Sequence, residues 1–375
     1  MEKLELPMGN NNYLMINPGY FEDIRVELEE FLHGEDGLNS RDFVRKILFN
    51  QEIKTNNAVE GINNDLLMIE NVIKNNLMMG NDKKRREIIN LYNGYKYIFT
   101  NSVMDKEHLL ELYQILSDGL LSSSDRARMR EYYREDKVYI LRKGRIDMEL
   151  SEGVDYSLID RYMDIYFDYV NDGSDGTMTD EFIKSQIMHF YFVYIHPYFD
   201  VNGRSSRTMA MWYLLNKKAY PYIIFNRAIS NNSSTYDETI MDTRNNANIS
   251  FFIRYMMINV KRELEKELVI QEIRDNTLSK MTMMDYQALN YILSMNGEKN
   301  VLTFTSLYRR DNGYKKVRDI YLQILLPLID KGIIEVVRTT NKEMFSGYNN
   351  EVFRINTSRF DIDNPKIKRL NLRDN

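Results

Sequence analysis

The sequence contains no cysteine, which excludes disulfides and thiolate metal sites and fits a reducing compartment. Proline (6) and glycine (17) are scarce beside 22 methionines. Few backbone punctuators and many long unbranched side chains predict a mainly helical protein. No uninterrupted apolar run approaches the roughly 20 residues that a membrane helix needs. The first twelve residues mix charge and polarity without an apolar core, so no secretory signal is expected. A cytoplasmic protein with no membrane segment is the expectation.

What is present is ordinary globular material. The 375 residues suffice for two domains at roughly 100–200 residues each. Hydrophobic residues make up 43% and charged ones 28%, which argues against long disorder. The net charge of −5 is unevenly spread. Residues 281–375 carry 15 Lys and Arg against 11 Asp and Glu, leaving −9 on the remainder. The tail is thus a candidate for an acidic partner, whereas the rest is no generic nucleic-acid binder.

Apolar residues recur at helical spacing over 42–48, 65–77, 86–99 and 106–116, with a polar stretch, 54–64, between the first two. Residues 132–148 change character: Val138, Tyr139, Ile140 and Leu141, then a basic turn, read as a short β-hairpin. Helix returns over 155–170, where Tyr162, Tyr166 and Tyr169 read as core. Thr179 is the expected N-cap of a helix reaching Ile195. That helix is aromatic on most sides and therefore central. His189, within it, lacks the i, i+4 partner of a helical metal pair and reads as packing. A polar loop, 196–203, leads into another helix ending near Asn216, and 251–267 forms a further long helix. The tail reads as helix (282–294), short helix (304–310), turn (311–313), helix (314–330) with Pro327 expected to kink or end it early, and two strands (333–338 and 351–355). That order matches a winged helix-turn-helix.

The chemistry concentrates in His196-Pro197-Tyr198-Phe199-Asp200-Val201-Asn202-Gly203-Arg204-Ser205-Ser206-Arg207. One base, one carboxylate and two guanidinium groups surround a helix start, where backbone N–H groups and the helix dipole favour an anion. Gly203 allows close backbone approach, as a phosphate requires. Arg204 and Arg207 lie three apart, on one helix face. Asp200 suits magnesium, which takes one or two protein carboxylates and fills its octahedron with phosphate and water. His196 is the nearby group able to accept a proton near neutral pH. Together they suit a polyphosphate and a hydroxyl nucleophile.

This segment resembles the signature of the Fic family, His-x-Phe-x-(Asp or Glu)-Gly-Asn-Gly-Arg-x-x-Arg, matched at His196, Asp200, Asn202, Gly203, Arg204 and Arg207. Tyr198 replaces a Phe, and Val201 replaces a small residue where a β-branched side chain does not readily take positive φ. The resemblance implies a mainly α, Fic-type helical bundle with a β-hairpin flap, to which the winged helix-turn-helix is appended. It implies AMP transfer from ATP, with magnesium at Asp200, onto a Tyr, Ser or Thr hydroxyl of an unknown target protein or of the chain itself. His196 would be catalytic, and Asn202, Gly203, Arg204 and Arg207 would bind nucleotide. Tyr236 looks like the family's adenine-contacting tyrosine, although ordinary packing also suits it. Val138, Tyr139 and Ile140 look like the flap that clamps the target by strand addition. A phosphotransferase branch carries Lys where Gly203 stands, so this chain sides with nucleotidyl transfer.

Residues Asn56 to Gly61 look like the family's inhibitory motif, (Ser or Thr)-x-x-x-Glu-(Gly or Asn), with Glu60 and Gly61 at its end and Asn56 in place of the hydroxyl. In relatives that glutamate pairs with the last arginine of the signature, here Arg207, and occupies the γ-phosphate space. A plain surface carboxylate is the alternative for Glu60. The expected organisation is an N-terminal helical region (1–105), a catalytic core (106–268), a linker (269–280) and a winged-helix domain with tail (281–375). Alternatives are removal of AMP at the same site, or a DNA-binding regulator acting through Arg309, Arg310, Lys315, Lys316 and Arg318, for which a solvated face is the plain reading. Relatives often form dimers, so a homodimer is a further expectation.

Overall fold

A computed structural model of the chain describes residues 1–9, 11–33, 38–41, 43–44, 51–62, 66–75, 83–143, 148–173, 176–277, 281–295, 299–312, 314, 316–345, 348–356 and 360. It divides into two compact units, Met1–Ile62 with Leu67–Lys261, and Asn63–Leu66 with Arg262–Asn375. The division falls inside a helix, not after a linker. Residues 269–275 of the expected linker are helical, and the expected N-terminal region is part of the same unit as the catalytic core.

The first unit opens with an antiparallel hairpin, β1 (Glu2–Pro7) and β2 (Tyr13–Ile16), which turns Leu6, Leu14 and Ile16 inward. Helices α1 (Glu22–Leu32), α2 (Ile53–Val59), α3 (Leu66–Asn75), α4 (Lys83–Thr100), α5 (Lys106–Ser117) and α6 (Ser123–Ala127) follow. The polar stretch 54–64 is therefore helical as far as Val59. Most of the helix expected over 42–48 lies outside the described residues. The antiparallel pair β3 (Tyr139–Lys143) and β4 (Met148–Glu152) forms a hairpin as expected. However, β3 runs through Arg142 and Lys143 of the expected basic turn, and β4 begins at Met148, where the hairpin was expected to end; residues 144–147 lie outside the described ones. Then come α7 (Ile159–Asn171), α8 (Met178–Ile195), α9 (Asn202–Asn216), α10 (Phe225–Asn231), α11 (Ser233–Asn246) and α12 (Ser250–Asp275). No helix among the described residues is long and apolar enough to cross a membrane.

The pair α8 and α9 forms the centre. Side chains are buried almost without interruption from Thr179 to Ile195 and from Arg204 to Leu214. Each fully buried Phe, Ile or Met contributes roughly 1.5–3 kcal/mol relative to exposure. Thr177, not Thr179, caps α8: its side chain accepts from the Asp180 N–H while Asp180 accepts from the Thr177 N–H. Only Thr177 has a carboxylate three residues on to complete that reciprocal pair. The hydroxyl of Thr179 instead meets that of Tyr222 at 2.7 Å inside the core. Tyr162 and Tyr166 are buried as expected, and Tyr198 stacks on Tyr113 with ring centroids 3.5 Å apart.

The second unit contains α13 (Met283–Ser294), capped by Thr282 with Asp285, then β5 (Lys299–Asn300), α14 (Val301–Asn312) and α15 (Val317–Ile320). The chain stays helical through Pro327. A π-helical turn (Tyr321–Leu325) leads into α16 (Leu326–Asp330), so the ring that would kink an α-helix falls in the first turn of a new segment. Strands β6 (Ile334–Phe345) and β7 (Tyr348–Ile355) complete a three-stranded sheet in the order β5-β7-β6. Leu289, Phe304, Tyr308, Ile324, Leu328, Ile334 and Phe353 share its core. Asn312 continues α14 and donates back to the Tyr308 carbonyl at 3.1 Å, so the expected turn does not begin at Asp311.

The Tyr198 hydroxyl is buried without a hydrogen-bond partner among the described residues, a costly arrangement. Tyr198→Phe should keep the stacked ring and raise stability by about 1 kcal/mol, read as a higher urea midpoint at unchanged slope. An unchanged or lower midpoint would contradict this.

Candidate active site

The short connection between α8 and α9 is built on two left-handed residues. His196 ends α8 at φ +56° and Val201 opens α9 at φ +65°. Left-handed geometry costs a β-branched residue roughly 1–2 kcal/mol, so Val201 does take the conformation that its side chain disfavours. Its surroundings impose it. The Val201 N–H donates to Asp200 Oδ1 at 2.6 Å, its carbonyl accepts from Ser205 N–H at 2.9 Å, and its side chain is buried. Asn202 ties the loop together: its Oδ1 accepts from Tyr198 N–H at 3.0 Å and its Nδ2 donates to the Tyr198 carbonyl at 2.8 Å. Expected to contact nucleotide, Asn202 here gives its amide to the shape of the loop.

His196 Nδ1 lies 3.2 Å from the Val193 carbonyl. A carbonyl only accepts, so Nδ1 carries the proton and Nε2 is the basic nitrogen. The backbone of His196 is held from two sides. Its N–H donates to the Phe192 carbonyl at 2.9 Å, and its own carbonyl accepts from Arg134 Nε at 2.9 Å. Asp200 is exposed. Among the described residues no group of three or more His, Asp or Glu side chains could hold a metal ion alone. A lone exposed carboxylate fits magnesium that is carried mainly by phosphate and water.

Hydrogen bonding within α9 starts at Ser205, so the amides before it form the positive helix end. A carboxylate already lies there. Glu60 Oε1 is 2.6 Å from Arg207 Nη2, and a side chain at Gly203 would collide with that same oxygen. Gly203 thus leaves room for the Glu60 carboxylate, the end of a flexible side chain that a Cβ would push aside. Arg207 is buried, and its Nε donates to Asn56 Oδ1 at 2.9 Å. Asn56 in turn donates to the Tyr95 hydroxyl at 2.8 Å. The amide that replaces the expected Ser or Thr therefore bonds the arginine and anchors α2 to α4. Gly61 follows at φ +75°, ending the turn after α2.

Arg204 points elsewhere: its Nη1 is 3.7 Å from Glu87 Oε1, both side chains being buried. Burial raises the Glu87 pKa, while Arg204 works against that shift and Asp200 and Glu60 add to it. Glu87 escaped the sequence reading although a signal existed. It shares the buried face of α4 with Leu91, Tyr95 and Ile98, an apolar phase in which a carboxylate needs a partner. Arg134 carried no comparable signal.

The hairpin adjoins this loop. Gly153, just after β4, donates to the Val138 carbonyl at 3.1 Å, and a Cβ on it would lie 3.1 Å from the His196 Cβ. Tyr139 is exposed and Ile140 buried. Among the described residues β3 and β4 pair only with each other. Tyr236 is not brought to an open face. It is buried with its ring stacked along His189 and its hydroxyl 3.0 Å from His189 Nε2. The packing alternative describes it here, and His189 is core as expected.

A half-buried base, its loop and an arginine-bearing helix start lie beside a two-stranded hairpin, an arrangement able to receive an anion. Residues 103–214 match the Fic/DOC family, so the chain carries a Fic/DOC domain. Its fold resembles that of a Fic family protein from Desulfovibrio desulfuricans G20, with a TM-score of 0.56 at 17% identity, covering 91% of this chain and 97% of that one. A single-substitution fragment of Fic-1 from C. elegans is similar with a TM-score of 0.50 at 14% identity, covering 68% of this chain and 72% of that one. No curated protein matches the chain.

The raised Glu87 pKa has a measurable sign. Its folded value lies above the ordinary 4.5, so the stability it contributes is present at low pH and lost as pH rises through that folded value. Glu87→Gln removes this titration. The melting temperature of the parent should therefore fall relative to Glu87→Gln as pH rises above about 4.5. A parallel pair of pH profiles would refute the assignment.

Proposed function

We propose that the chain transfers AMP from ATP to a Tyr, Ser or Thr hydroxyl of a protein, itself included. The observation that carries this reading is the Glu60 carboxylate over Gly203, bonded to Arg207 at 2.6 Å. The cradle at the head of α9 already holds an anion, as a phosphate site must be able to do.

The target hydroxyl oxygen attacks the α-phosphorus, and His196 Nε2 takes its proton. The bond between the α-phosphorus and the bridging oxygen breaks, and pyrophosphate leaves with the electron pair. The amides before Ser205 stabilise the charge that develops on the phosphoryl oxygens, and Arg204 joins them once its guanidinium turns from Glu87 to the phosphate. Asp200 would hold magnesium, which when bound supplies charge neutralisation on the phosphates. A target segment adds to the open side of the β3–β4 flap through main-chain bonds, which leaves the flap little side-chain selectivity.

Glu60 acts as a brake. Its carboxylate takes the guanidinium bonds that a phosphate would use and repels the incoming anion. A second reading, a winged-helix regulator that binds DNA, draws on Arg309, Arg310, Lys316 and Arg318, which are exposed. Lys315 lies outside the described residues.

ATP labelled at the α-phosphate separates these readings. Label should appear on the protein from the α-position and not from the γ-position. His196→Ala should lower it about 100-fold or more, and Glu60→Gly should raise it several-fold, the brake having been removed. Label from the γ-position alone would mean phosphotransfer. No label in either protein, with tight sequence-selective DNA binding in a mobility-shift assay, would favour the regulator. Faster loss of pre-attached AMP from the parent than from Glu60→Gly would mean a hydrolase.

A further inference from the structure

The geometry points to Arg134 as a positioning residue that holds the flap in register with His196, an assignment that rests on the transfer reaction proposed above. Arg134 is 1% exposed, yet its three kinds of donor nitrogen all meet backbone carbonyls. Nε donates to His196, the residue of the base. Nη1 donates to Asp136, two residues before Val138, and Nη2 to Val154, two residues after the end of β4. One guanidinium therefore touches the backbone at both ends of the hairpin and at the base.

The surrounding backbone repeats the connection. The Arg134 N–H donates to the Pro197 carbonyl at 3.0 Å, and the Val154 N–H to the Ile195 carbonyl at 3.1 Å. A Cβ on Gly153 would lie 2.7 Å from Arg134 Nη2, 2.8 Å from Val138 Cγ1 and 3.1 Å from the His196 Cβ, so the contact admits no larger residue. On another side of this contact Arg244 donates to the carbonyls of Tyr194 and Glu152, joining the end of α8 to the end of β4 again. Burial lowers the Arg134 pKa to about 10, with Asp155 and Asp136 opposing the shift.

These bonds need the planar fork of arginine. Lysine supplies charge from one point and cannot meet three carbonyls set around a plane. The carbonyl of His196 belongs to a left-handed residue, and a bond to it opposes rotation of that peptide. Arg134 thus sets the spacing between the strand that receives a target segment and the nitrogen that takes the proton, without touching ATP or the reacting atoms. Small losses of alignment at such a site lower rates steeply.

Arg134→Lys in the full chain, made in the Glu60→Gly background, tests this. Three quantities are measured beside the melting temperature: affinity for a non-hydrolysable ATP analogue, the rate of α-label transfer, and hydrogen exchange at Gly153 and Val154, whose N–H groups donate to the Val138 and Ile195 carbonyls. The affinity should stay within about twofold while transfer falls about tenfold or more. Exchange at the two flap amides should speed up while that within α8 stays unchanged. Nitrogen NMR adds a signature that general destabilisation would not move. The chain has four histidines, so His196→Ala assigns the signal, which should lose its single Nδ1-protonated form in Arg134→Lys. Equal loss of analogue affinity and transfer, or unchanged flap exchange, or an unchanged His196 signal, would overturn the assignment. If the Glu60→Gly protein transfers no AMP at all, the reaction is wrong, while exchange and the nitrogen signal still decide whether Arg134 holds flap and base together.

Discussion

The amino end of α9 concentrates positive charge: the open amides before Ser205 and two buried guanidinium groups, Arg204 and Arg207. Such a cluster cannot stand in a folded protein without compensation. Compensation comes from outside the helix. Glu60 arrives from the turn after α2, Glu87 from α4, and Asp200 from the loop itself. Each carboxylate brings its own element to the same place, so satisfying the charge also fixes where α2 and α4 pack. The two arginines differ in what faces them. Glu87 is buried within a long helix, whereas the Glu60 side chain is 35% exposed.

The platform beneath this charge is rigid because it is apolar and aromatic. Almost the whole of α8 and α9 is buried, Tyr113 and Tyr198 stack face to face, and the Trp212 indole donates to the Asn101 carbonyl at 2.6 Å. Two left-handed residues then carry the chain from one helix to the other. Strain at Val201 is tolerated because Asp200, Asn202 and burial leave that residue no alternative.

What the sequence made legible follows from where partners lie along the chain. The loop from His196 to Arg207 could be read because its base, carboxylate, glycine and arginines are contiguous, and Glu60 because its motif is short. Glu87 and Arg134 take their meaning from residues 117 and 62 positions away, distances that no local pattern spans. Thr179 was a reasonable cap by residue type, but the reciprocal bond with Asp180 selects Thr177. Tyr236 has the residue type for contact with a base, whereas burial is decided by His189 and Phe252 around it. Hairpin β1–β2 was hidden by its charged outer face, since only Leu6, Leu14 and Ile16 turn inward. The helix through Pro327 depends on a π-helical turn, a backbone adjustment with no composition of its own.

Helix α2, Ile53–Val59, continues two π-helical residues, Gln51 and Glu52. Its side chains are tied to other elements, Asn56 to Tyr95 and Arg207, and Glu52 to Arg227. Whatever draws Arg207 away from Glu60 therefore also pulls on the seat of the helix that carries the glutamate, since Asn56 and Glu60 share one guanidinium.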